Sequence, residues 1–264
     1  MTFLFSELVY RPIYNLLIFI YNFLPLHDFG IAIVLVTVLI KFFLIPLSRK
    51  QIESQKRMQE LQPKIKEIQE KYKNDKEKQS RAMMEFYKEN KANPFSGCLP
   101  MIFQLIFLIA IYRVLFNISQ NGLKVNEGDL YVFMQNPGQI NHFFIGLVDL
   151  SSIVDFKSFS VENIAHIILV ILAAFAQYVQ TKMLMASNEK KLGGKDVGGK
   201  KDNKELDFSQ VMSKQMLYLA PIMTLFIGIK FPAGLALYWL VSTLFMIAQQ
   251  KYLEAKKGQA VEVK

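Results

Sequence analysis

From Phe29 to Leu47 the chain reads FGIAIVLVTVLIKFFLIPL, an apolar run broken by one charge, Lys41. A run of this length crosses a bilayer as a helix, because only a helix satisfies its own backbone in hydrocarbon. Four more apolar runs cover 97–117, 163–184, 215–230 and 232–250. The last two are short and meet at Lys230-Phe231-Pro232, where proline ends one helix and fits the first turn of the next. Hydrophobic residues make up 52% of the chain and its charges are gathered in blocks, so a soluble domain is excluded. The sequence predicts an all-α polytopic membrane protein with five transmembrane helices forming one core.

The blocks fix an orientation. Residues 48–96 hold 13 Lys and Arg, 185–214 hold seven, and the tail after Gln250 holds four. By contrast, 118–160 carries only Lys124 and Lys157 beside four acids, and 1–28 carries only Arg11. Basic loops stay cytoplasmic. The expected topology has the N-terminus outside, 118–160 extracytoplasmic, and the basic tail 251–264 inside, in a bacterial plasma membrane. The net charge of +9 then reads as topology determinants and headgroup contacts, with no specific nucleic acid. The single cysteine, Cys98, allows no intrachain disulfide.

The remaining segments have patterns of their own. In 1–28, Pro12 and Pro25 bracket about a dozen residues, short of the ~20 a crossing helix needs. Arg11, Asn15 and Asn22 share one helical face opposite Leu, Ile, Phe and Tyr, which predicts an amphipathic helix lying in the outer interface, with a tilted crossing as the alternative. In 48–96, Met58, Leu61, Ile65, Ile68 and Tyr72 recur every three or four residues. A second stretch near 77–91 presents Met83, Phe86 and Tyr87, and Asn74-Asp75 makes a turn, so a cytoplasmic helical hairpin is expected. Residues 185–214 include GGKDVGGKKDNKE and predict a flexible cytoplasmic loop. HFFIGLVDL, at 142–150, is too short to cross and is expected at the outer interface.

Catalytic signatures are poor. His27, His142 and His166 are far apart, and HExxH, CxxC, GxSxG and Walker patterns are missing from the sequence. No enzyme, metal or cofactor is expected. The apolar runs contain no interior acid, which weakens an ion-coupled carrier. What they contain is a polar series: Thr37 and Lys41, four residues apart on one helix face; Gln104; Gln177 and Gln180; Tyr238, Trp239, Ser242 and Thr243. An ammonium in hydrocarbon costs at least ~2.5 kcal/mol. Two readings of Lys41 stand: it faces a hydrated groove open to the cytoplasm and awaits an acidic partner, or it snorkels to the headgroups. Gln104 serves equally as helix–helix glue, and Tyr238 and Trp239 as packing or interface anchors.

Three stretches together resemble the YidC membrane protein insertase family. They are IKFFLIPLSRKQIESQKRMQELQPKIKEIQEKYK (Ile40 to Lys73), YKENKANPFSGCLPMIFQLIFLIAIY (Tyr87 to Tyr112) and LAPIMTLFIGIKFPAGLALYWLVST (Leu219 to Thr243). The second contains the NP-x-x-GC-x-P signature at Asn93–Pro100 and the third the FP-x-GL-x-LYW pattern from Phe231 to Trp239. The resemblance implies an insertase and chaperone for newly made membrane proteins, working through a positively charged groove open to cytoplasm and lipid. Lys41 falls on the groove's basic position, where many relatives have Arg. Thr37, Gln104, Tyr238 and Trp239 fall on groove positions, and Gln177 joins them from the polar series. The 48–96 hairpin, with Met58, Leu61, Ile65, Ile68 and Tyr72, matches the recruiting element. Implied partners are nascent membrane proteins and the lipid bilayer, with the ribosome, the signal recognition particle receptor and the Sec translocon as further candidates. Relative to larger family forms, no extra leading helix, large outer domain or lipoprotein-type cysteine is expected. A channel or small-solute carrier is the alternative, and a hairpin module merely anchored in the membrane is a third.

Overall fold

The computed structural model describes residues 3–90, 92–93, 99–186 and 208–262. Helix α1 runs from Phe3 to Phe23. Then come α2 (Phe29–Phe43), α3 (Ile45–Lys71), α4 (Lys76–Glu89), α5 (Leu99–Gln120), α6 (Val161–Ala186), α7 (Phe208–Lys230) and α8 (Ala233–Glu262). A short antiparallel pair, β1 (Phe143–Phe144) and β2 (Val148–Asp149), lies between α5 and α6. Four helices are long and apolar enough to cross a membrane, over 3–23, 102–120, 161–184 and 233–255. The bent pair α2 and the start of α3 makes a fifth, and Leu217–Lys230 is apolar but shorter. The chain is an all-α polytopic membrane protein.

Two boundaries differ from the sequence reading. The run 29–47 is not one straight helix, because α2 stops at Phe43 and α3 leaves at 65°. Pro46 has no N–H to give the Phe42 carbonyl, and the Leu44 N–H closes the last turn of α2 on Ile40 O at 3.0 Å. At the N-terminus, Pro12 does not shorten the helix. A π-helical turn over Ser6–Tyr10 precedes it, and Pro12 sits in the first turn of the α-helical part, where no intrahelical donor is needed. The result is 21 residues, long enough to cross, so the length argument against crossing fails.

On the polar face of α1, Asn15 is buried. Its Oδ1 accepts from Tyr131 N at 2.7 Å and its Nδ2 donates to Asp129 O at 2.9 Å. Tyr10 OH donates to Asp129 Oδ2 (3.0 Å), Tyr14 OH accepts from Asn126 N (2.8 Å), Asn22 Nδ2 donates to Gln135 O (2.8 Å) and Tyr21 OH accepts from Asn141 N (2.9 Å). Leu4, Leu8, Phe19 and Phe23 are exposed. Thus α1 carries the 121–141 segment along its length and buries Ile13, Tyr14, Leu17, Ile18 and Tyr21 in the core.

The patch at 142–150 is packed in part, with Ile145 and Leu147 left exposed. Phe144 packs so closely on Gly30 that a Cβ there would run into its ring, and Val148 and Leu150 are buried. Asp28 joins these parts. It caps α2 by accepting from Ile31 N at 2.9 Å and accepts from Ile145 N at 2.6 Å through its other oxygen. Backbone bonds from Gly234 N to Leu150 O and from Ala233 N to Ser152 O (both 3.0 Å) fasten the same strip to the start of α8.

Two helices form in the 48–96 block, α3 and α4, with a turn between them at 72–75. Helix α3 continues through Pro63, and Asp75 caps α4 by accepting from Lys78 N. That bond holds the Asp75 carboxyl below its usual range. Ile65 is buried and Met58, Leu61, Ile68 and Tyr72 are half-buried. Most of the expected 185–214 loop, and the Pro94–Cys98 part of the signature, lie outside the described residues.

Candidate functional site

Helix α8 is the central element, with α2, α5 and α6 packed on it. Trp239, Ser242, Met246 and Gln249 follow one another at three, four and three residues, so they share a face. Each meets a polar partner. Trp239 Nε1 donates to Gln177 Oε1 on α6 at 3.1 Å. Ser242 Oγ donates to Gln104 Oε1 on α5 at 3.0 Å. Gln249 Nε2 donates to Ser48 Oγ, just past the bend, at 2.7 Å. Met246 Sδ lies 3.7 Å from Lys41 Nζ and 3.5 Å from Gln180 Nε2.

Lys41 stands in the last turn of α2. Its position two residues before the helix end favours a cation through the exposed carbonyls there. The ammonium donates to Gln104 Oε1 at 3.1 Å, the oxygen that Ser242 also uses. Its partners are side chains of neighbouring helices, and no carboxylate among the described residues pairs with it.

The expected residues divide. Lys41, Gln104, Gln177 and Trp239 come together along α8. Thr37 is buried one turn before Lys41, and its hydroxyl donates to its own helix at Ile33 O, 2.6 Å away. Tyr238 is buried in the core beside its half-buried neighbour Trp239. The hairpin stripe lies farther along α3, beyond Ser48. Ser242 and Gln180 belonged to the polar series and take direct part. Met246 gave no sequence signal, because a thioether in an apolar helix reads as packing. Elsewhere, Arg113 lies over the Phe5 ring at 5.8 Å, and His142 Nε2 is 3.6 Å from Asp149 Oδ1. Among the described residues no group of three or more His, Cys, Asp or Glu could hold a metal ion.

A family described as the 60Kd inner membrane protein matches residues 19–260. A membrane protein insertase YidC of Fusobacterium nucleatum is 32% identical over 231 residues, covering 88% of this chain and 88% of that protein. This chain belongs to the YidC family. YidC 2 of Bacillus anthracis is 30% identical over 261 residues, covering 97% of this chain and 84% of the relative. The YidC of Geotalea daltonii is 31% identical over 252 residues, but the chain spans only 37% of its length. With this YidC-family membership and its apolar helices, the protein is a multi-pass inner-membrane protein.

Proposed function

We propose that this chain inserts newly made membrane proteins into the bilayer and helps them fold, without catalysing a covalent reaction. The observation that carries this reading is the Lys41 ammonium, held by neutral acceptors where α2, α5 and α8 converge. A cation so placed attracts carboxylates in the outer segment of an incoming chain. The polar stripe on α8 offers hydrogen bonds to that segment while its apolar helix partitions into lipid, which drives the step without nucleotide. Gln104, Gln177 and Trp239 line this groove, with Thr37 and Tyr238 supporting it from the packed side.

The outer strip argues for a closed outer end and against a continuous channel, because its backbone is bonded to both α1 and α8. In the proposed arrangement α1 lies in the outer interface. Asn15 to Asn22 hold the extracytoplasmic strip along roughly 10 Å of helix, at 1.5 Å per residue. The hairpin recruits substrate in the cytoplasm through Met58, Leu61, Ile65, Ile68 and Tyr72. The ribosome, the signal recognition particle receptor and the Sec translocon are the candidate upstream partners.

The test is insertion in proteoliposomes of substrates with acidic outer tails. Lys41→Ala and Lys41→Glu lower insertion by about tenfold or more, the equivalent of ~1.4 kcal/mol, while Lys41→Arg retains it. Equal insertion by all three variants removes the charge-attraction step. Solute flux through the purified protein, with no nascent chain present, would favour a channel.

A further inference from the structure

Three of the four residues on the α8 stripe are hydrogen-bonding side chains; the fourth is Met246. It is also the point on which two donors converge, Lys41 Nζ at 3.7 Å and Gln180 Nε2 at 3.5 Å. A thioether is a weak acceptor. The other acceptor of Lys41, Gln104 Oε1, is divided with Ser242. An ammonium has three donors, so Lys41 has capacity for a further acceptor.

We propose that Met246 is a specificity-determining residue, whose thioether occupies the acceptor position opposite Lys41 and leaves the ammonium free to exchange onto a carboxylate of the incoming chain. This deepens the charge-attraction reading and rests on it. An oxygen acceptor at the same position would form a charge-assisted bond with Lys41, about twice as strong as a neutral one. The carboxylate would then have to displace it. The apolar body of methionine also keeps volume at the junction of α2, α6 and α8 without adding a second oxygen. Its flexible chain can swing aside when a substrate carboxylate arrives. A carboxylate at 246 would satisfy Lys41 permanently and make the site indifferent to acidic tails.

The experiment compares two substrates alike except for an acidic or a neutral outer tail, inserted by wild type, Met246→Glu, Met246→Gln and Lys41→Ala in proteoliposomes. Met246→Glu is expected to lower insertion of the acidic-tailed substrate by about tenfold, with the neutral-tailed substrate changing less than about twofold. Met246→Gln, which keeps the length and adds a neutral oxygen, is expected to lower the acidic-to-neutral ratio by roughly threefold. If Met246→Glu does not fold, the ratio measured with Met246→Gln decides alone. An unchanged ratio in the Met246 variants, with Lys41→Ala still losing the acidic substrate, overturns the role of Met246 and leaves the groove reading intact. Equal loss of both substrates overturns it too, as packing damage. A Lys41→Ala protein as active as wild type on the acidic substrate brings down the groove reading and this inference together.

Discussion

Gln104 is the residue through which the charge and the packing meet. Its one carbonyl oxygen serves the Lys41 ammonium and the fully buried Ser242 hydroxyl. Replacing Gln104 by Leu strands both donors, whereas Ser242→Ala removes only one. The two substitutions should therefore be coupled by about 1 kcal/mol in a double-mutant cycle, as for interhelical hydrogen bonds in lipid. Unfolding of the purified protein in detergent measures the cycle, and simple additivity would separate the two contacts. Lys41 and Gln104 could be nominated from sequence because polar groups stand out in apolar helices. That they share an acceptor with Ser242 could not, since Lys41 and Gln104 are 63 positions apart and Gln104 and Ser242 are 138 apart.

At the level of elements, the bend at Leu44 and the seam between α2 and the β pair decide how the cytoplasmic and outer parts are mounted. Pro46→Ala restores the donor that the Phe42 carbonyl lacks, so α2 and α3 should straighten from 65° toward a continuous helix. Spin labels at Ser80 and Asn121 should report a changed distance by pulsed electron resonance, and an unchanged distance would assign the bend to the Gln249–Ser48 contact. On the outer side, Gly30→Ala forces a methyl into the Phe144 ring. The expected loss is ~1–3 kcal/mol in detergent unfolding, partly recovered by Phe144→Leu. Recovery distinguishes a clash with that ring from a general helix effect. The helix under the 58–72 stripe was legible because a three-four repeat states its own helix. The partial packing of 142–150 was not, because nine residues of mixed apolar pattern fit a surface patch equally well.

For the whole molecule, the charge blocks make a prediction that labelling can check. Cysteines at Gln135 and Ser80, each on a Cys98→Ser background, should react with an impermeant reagent from opposite sides of the membrane. Labelling of both from one side would invert or break the topology. The sequence alone determined that this chain lives in a membrane, which segments are basic and that Lys41 sits in an apolar run. Those properties follow from hydropathy and charge along contiguous residues, which a bilayer sorts locally. Tertiary structure decided the rest: that α1 turns its polar face onto the outer strip, that α2 stops at Phe43, and that Lys41 shares Gln104 with Ser242 and meets the sulfur of Met246. Each of these depends on which helices approach one another. A methionine becomes part of a polar site only when packing brings an ammonium from 205 positions away to its sulfur.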